Sequence, residues 1–380
     1  MSKFKEILKT LRTGADNSYR SFRFTPEGVI AFLTYRCTSR CLTCNIWKRP
    51  TEENKELSWE DWKPILEKMA KDGVRSIELF GGDALLRKDL LIKIIRRCGE
   101  LGIKTFFPTN SNLIDDETAR ELVEAGLFTI YFSLDELPSL KGAVRGVEDH
   151  FGKVDRAVSL IKKYRGDKKT PHMVAITTVS RLNFRLLDRF IEYVESVPFD
   201  MYMLRGISEF SDASISRSAV DGVLPDPYFT STGGGSNLFS ASEAAELIKK
   251  LKEIRLRPAR SGSVYINTEN VDILTEENLV KGSYPEMKCQ FCTTQLVLTP
   301  YGEVVPCLYF SKYVLGDLKK QDIKEVWGNK RHREFCAEQK KGGIDLCGYC
   351  GIKFYHKSFS DTVISLAGKV KEKISGAHGR

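Results

Sequence analysis

YRCTSRCLTCNIW, residues 35–47, sets Cys37, Cys41 and Cys44 in a C-x3-C-x2-C spacing directly after the apolar run VIAFLTY (29–35). That run has the length and the β-branched and aromatic content of a buried strand. Three thiols so close together, with no fourth beside them, suit a centre that keeps one coordination position open. Structural zinc asks for four ligands, whereas a [4Fe–4S] cluster held by three cysteines leaves one iron free. Zinc with a distant fourth ligand is the plainer alternative, and it gives no reason for the surrounding sequence.

Outward from this stretch, short β-rich runs alternate with amphipathic helical patterns. The runs are VIAFLTY, SIELFGG (76–82), KTFFPTN (104–110), TIYFSLD (129–135), HMVAITTVS (172–180) and MYMLRGI (201–207). Helices are predicted near 58–72, 89–101, 115–125, 150–165, 184–197 and 241–256. Ser58 with Asp61 three residues on resembles a capping box, and Gly73, Gly102, Gly126 and Gly166 stand where helices end. Strands returning through helices pair in parallel. Six units predict an α/β fold, a partial (β/α)6 TIM-like barrel, with function at the strand-to-loop ends where the three cysteines lie.

The chain has 380 residues, 42% hydrophobic and 29% charged, as ordinary soluble proteins have. No apolar run approaches the ~20 residues that span a bilayer. The N-terminal stretch lacks an export signal, so a cytoplasmic location with reduced, metal-bound thiols is expected for the ten cysteines. The formal charge of +9 is concentrated at the ends: residues 1–25 and 351–380 each hold six basic side chains against two acidic ones. A near-neutral body argues against nucleic acid as a partner.

On these residues the chain resembles the radical S-adenosylmethionine (SAM) superfamily. Gly81-Gly82-Asp83 resembles the family's GGE segment, and TNS (109–111) its TNG segment. SLD (133–135) resembles the strand-four segment that contacts SAM, and Arg145-Gly146 the RG that follows. The sequence departs from the pattern at Asp83, at Ala84 where a proline is usual, at Ser111 and at Thr43. The resemblance implies that Cys37, Cys41 and Cys44 hold a catalytic [4Fe–4S] cluster whose open iron takes SAM. Reductive cleavage would then give a 5′-deoxyadenosyl radical that abstracts hydrogen from a substrate. The residues expected near SAM are Gly81, Gly82, Asp83, Asn110, Ser133, Asp135, Thr177 and Arg205. Each has a plainer reading as a turn, a strand end or a surface ion pair. A reductant such as flavodoxin or ferredoxin is implied as a partner.

Six further cysteines, Cys289, Cys292, Cys307, Cys336, Cys347 and Cys350, fall within 62 residues. VLTPYGEVVP (297–306) predicts a β-hairpin leading to Cys307. C-x9-G-x4-C followed by C-x2-C resembles the SPASM and Twitch modules of the superfamily, which hold auxiliary iron–sulfur clusters. His356 stands where a two-cluster module would carry another cysteine. The resemblance therefore implies one auxiliary [4Fe–4S] cluster, ligated by Cys292, Cys307, Cys347 and Cys350, with Cys289 the rival for the role of Cys292. Cys336 is a further ligand or a buried thiol, and Cys98 a core residue. A zinc ribbon is the alternative.

The expected organisation is a basic amphipathic segment (1–27), the barrel (28–258), the cluster module (259–356) and a basic amphipathic tail (357–380). Ser/Gly-rich residues 208–240 form either a linker or a lid. The terminal stripes predict helices packed on the body or, in the sharper reading, peripheral contact with an anionic membrane surface. The substrate is left open among small molecules, peptides and lipid-linked compounds. A zinc-binding, non-catalytic interaction protein and a nucleic-acid-modifying radical enzyme are the rival functions.

Overall fold

The computed structural model describes residues 25–232, 237–257, 264–285 and 289–352. The two basic amphipathic stripes lie outside these residues. So do His356 and the STGGGSN residues 233–236.

The six predicted strands form β1 (Gly28–Phe32), β2 (Ser76–Phe80), β3 (Lys104–Thr109), β4 (Thr129–Ser133), β5 (His172–Val179) and β6 (Met201–Gly206), adjacent in chain order and parallel throughout. Between them run α1 (Trp59–Lys71), α2 (Lys88–Glu100), α3 (Asp116–Glu124), α4 (His150–Arg165) and α5 (Leu187–Ser196), with α6 (Ala241–Leu256) following. Ser58 and Asp61 form the capping box at the start of α1. The four glycines past the helix ends all take positive φ.

Alternation along the strands divides the core. Ile77, Leu79, Ile130, Phe132 and Leu204 pack outward with the helices, with Cys98 of α2 wholly buried among them. Ile30, Phe32, Val297 and half-buried Phe80 form a separate inner cluster. The residues between the outward ones, Glu78, Tyr131 and Arg205 among them, therefore line the concave face.

Both sheet edges are extended by chain from beyond the six units. After the short parallel pair β7 (Glu209–Phe210) and β8 (Ser231–Thr232), β9 (Tyr265–Asn267) pairs in parallel with β6. At the other edge β10 (Gln295–Leu298) pairs in parallel with β1, and β11 (Glu303–Val305) and β12 (Gly316–Asp317) continue antiparallel. The predicted hairpin is thus present, with Gly302 in its turn at φ +93°. It adds to the barrel sheet, which has ten strands among the described residues.

The described part of 208–240 packs across the mouth. Phe229 stacks on Phe32 at 4.8 Å and meets Phe80 at 5.8 Å. Asp226 accepts from the Ser311 amide at 2.9 Å, and Ser218 Oγ accepts from the Leu346 amide at 2.8 Å. Such anchoring is that of a strap between the barrel and the cysteine-rich region.

Candidate active site

The loop carrying Cys37, Cys41 and Cys44 is fastened on three sides. After β2, the Gly82 amide donates to Thr34 O (3.0 Å) and the Asp83 amide to Arg36 O (2.8 Å). After β4, Arg145 O and Val144 O accept from the Arg40 and Leu42 amides at 3.1 and 2.9 Å. From the strap, Tyr228 O accepts from the Asn45 amide (2.9 Å) and from Cys44 Sγ (3.5 Å). Buried Glu56 adds a rivet: Thr34 Oγ1 and Arg87 Nη1 donate to it at 2.5 and 2.7 Å, and Arg36 stands at 3.3 Å.

Two glycines make these approaches feasible. A Cβ on Gly82 would stand 2.7 Å from Tyr35 O and closer still to Arg36 O, and one on Gly146 would stand 2.5 Å from Arg40 O. Their lack of a side chain is spent on backbone-to-backbone packing against the cysteine loop. The family resemblance places Gly81 and Gly82 near SAM, with a tight turn after β2 as the plainer reading. Gly81 likewise faces Thr34 O, at 2.8 Å from an added Cβ.

Beneath the loop lies a polar net. Asp83 accepts from Thr38 Oγ1 and from Asn110 Nδ2, and Asn112 Nδ2 donates to Thr38 and Ser39 at 3.0 Å. Burial holds the Asp83 carboxyl above its usual range, with Thr38 and Asn110 opposing. Ser111 sits at φ +66°, a backbone that explains a glycine at this place in the family pattern.

Asp135 is 1% exposed, accepts from the Thr178 amide at 2.6 Å and pairs with Arg145. Arg145 in turn brings Nη1 to 3.8 Å from Cys41 Sγ. Glu136 holds the Val144 and Arg145 amides. Arg145 was visible only as half of an RG pair, and the structure makes it the cation of the thiol site. Thr177 does not join: it is wholly buried, donating to Leu134 O and accepting from Tyr202. Ser133 is half-buried on β4, and Arg205 is exposed on the concave face.

Burial pushes the Cys37 thiol up to about 11 and the Cys44 thiol to about 12. A cationic centre reverses that penalty by taking the thiolates as ligands. The residues fit a cluster with SAM: three thiols share one loop, a guanidinium adjoins one of them, and Arg145 Nε is buried with no partner among the described residues.

The second cysteine group surrounds an apolar cavity lined by Cys289, Cys292, Cys307, Cys347 and Cys350, with Tyr309 beside them. Burial lifts the Cys307 thiol well above its usual value, and the nearby thiols of Cys350, Cys347 and Cys289 add to it. Cys292 is engaged elsewhere. A hydrogen bond with Cys336, then burial, raises its thiol. Cys336 Sγ and His332 Nε2 both meet Cys292 O, at 3.7 and 2.7 Å. Cys289 thus acts on the Cys307 thiol together with Cys347 and Cys350, while the Cys292 thiol bonds with Cys336. Among the described residues no three His, Cys, Asp or Glu side chains close on one point as they would around a single metal ion; the thiols are neighbours around shared space.

Residues 32–193 match the family profile described as Radical SAM superfamily, and residues 289–351 the one described as SPASM, an iron–sulfur cluster-binding domain. A tungsten-containing aldehyde ferredoxin oxidoreductase cofactor-modifying protein of Pyrococcus furiosus is 20% identical over 342 residues, 84% of this chain and 86% of its own. A PqqA peptide cyclase of Rhodopseudomonas palustris is 27% identical over 199 residues, 51% of this chain and only 50% of its own length. The crystal structure of Streptococcus suis SuiB bound to S-adenosylmethionine superposes with a TM-score of 0.59 at 17% identity, over 94% of this chain and 79% of that one, a likeness of fold. No helix among the described residues is long and apolar enough to cross a membrane. With both profiles falling on the two cysteine groups, this chain belongs to the radical SAM superfamily, as an enzyme whose cofactors are a [4Fe–4S] cluster, S-adenosylmethionine and an auxiliary iron–sulfur cluster in a C-terminal SPASM domain.

Proposed function

We propose that this enzyme abstracts hydrogen from a substrate held in the barrel and passes the resulting electron to its auxiliary cluster. Cys37, Cys41 and Cys44 would hold the catalytic cluster, and Cys289, Cys307, Cys347 and Cys350 the auxiliary one. When bound, cluster and SAM supply a radical able to break an unactivated C–H bond. The chain's own part is to orient and to exclude water. Arg145, paired with Asp135, offsets thiolate charge beside Cys41. Phe229 closes over the inner aromatic cluster of Phe32 and Phe80.

One observation carries the reading: three thiols on a loop fastened at the C-terminal edge of the barrel, with no fourth cysteine in that loop. Four ligands from the thiols around the second cavity would leave that cluster no open iron, which favours electron transfer over direct substrate binding there. The concave wall carries Glu78, Tyr131 and Arg205, whose charges act on one another, so the substrate would carry a polar or charged group. Relatives named as peptide cyclases make a peptide the first candidate. The test is anaerobic incubation of the reduced enzyme with SAM. 5′-Deoxyadenosine is expected from the native chain and not from Cys41→Ala; equal yields from both would refute the reading.

A further inference from the structure

Tyr309 follows Cys307 by two residues, and its side chain lines the cavity of the second cysteine group. It is 1% exposed, and its ring packs edge-on against Phe210 with centroids 5.0 Å apart. That packing fixes the direction of the phenol. Its hydroxyl is buried with no hydrogen-bond partner among the described residues, although a buried phenol ordinarily has one. The neighbouring Tyr284 hydroxyl is already committed to Ile207 O at 3.0 Å. The cavity that Tyr309 lines carries the thiols of Cys289, Cys307, Cys347 and Cys350.

The main chain of Tyr309 also meets the strap. The Asp226 amide donates to Tyr309 O at 2.7 Å, and the Tyr228 amide to Asp226 O at 2.8 Å. Tyr228 O is the acceptor beside Cys44. The residue therefore stands where the second cysteine group is tied to the first.

We propose that the Tyr309 hydroxyl donates a hydrogen bond to a ligand thiolate of the assembled auxiliary cluster and so raises that cluster's reduction potential. This rests on the reading of the cavity given above. A donor at a ligand sulfur withdraws negative charge and favours the reduced state, a lever by which proteins tune such clusters. Tyr309 is a positioning residue: it is no ligand, and removing its hydroxyl should leave the iron in place.

The test is a potentiometric titration, followed by EPR, of the full-length reconstituted enzyme and its Tyr309→Phe variant. The expected result is a more negative midpoint for the auxiliary cluster, an unchanged midpoint for the Cys37/Cys41/Cys44 cluster, and unchanged iron and sulfide. An unchanged auxiliary midpoint overturns the proposal. So does loss of iron from Y309F, since a donor outside the ligand set does not hold the cluster. Failure of the underlying reading shows separately, as full iron content in both Cys289→Ala and Cys307→Ala.

Discussion

Asp135 and Arg145 form a buried pair whose members were legible as motif letters but not as partners. Removing one partner of a buried pair strands the other. Asp135→Asn is therefore expected to destabilise the fold by about 3 kcal/mol, read by denaturant unfolding, and to lower SAM cleavage. Gly82→Ala acts on the loop instead: its Cβ would displace Arg36, so the variant is expected to reconstitute with less iron while keeping its helical circular dichroism. Glu78 offers a pH signature. Burial pushes its carboxyl up to about 7, with Arg205 across the concave face opposing, and Tyr131 senses both. The folded chain thus holds the Glu78 proton that the unfolded chain releases near 4.5. The stability so gained is full below that pH and lost as pH rises through about 7. Glu78→Gln should remove this dependence and raise stability at pH 8 by about 2 kcal/mol, measured by unfolding at pH 5 and pH 8. A variant as pH-sensitive as the native chain would contradict it.

Among the elements, strands and helices were legible because their signals are local: β-branched runs of five to eight residues, the Ser58 cap, and glycines where helices end. The turn after β3 was legible only as a departure, since Ser111 replaces a family glycine and its backbone is nonetheless left-handed. Ser111→Gly is expected to stabilise the chain by up to ~1 kcal/mol, seen as a raised melting temperature. The auxiliary ligand set was legible only to within one residue. Cys289 and Cys292 both fit the spacing, and what separates them is a residue far along the chain, Cys336 of Lys330–Lys340, which bonds with the Cys292 thiol. Iron content is expected to fall by about four per chain in Cys289→Ala and to hold in Cys292→Ala.

For the whole molecule, sequence order suggested a barrel followed by a module, and the six-unit barrel is what forms. That the hairpin would pair with β1, or β9 with β6, was not legible. Parallel pairing between distant segments leaves no local mark in either strand. Nor did Ser/Gly composition show that the strap would bind both cysteine groups, since the Tyr228 carbonyl and the Asp226 amide that tie it to each are groups any sequence carries. The consequence is a molecule in which the catalytic loop is held by the barrel on two sides and by the strap on a third. The central claim, a three-thiolate cluster with a corner left for SAM, is tested most directly in Cys307→Ala, which is expected to retain only the first cluster. EPR of that protein, reduced without oxygen, should change shape when SAM is added. A cubane signal that SAM leaves unaltered would contradict the account.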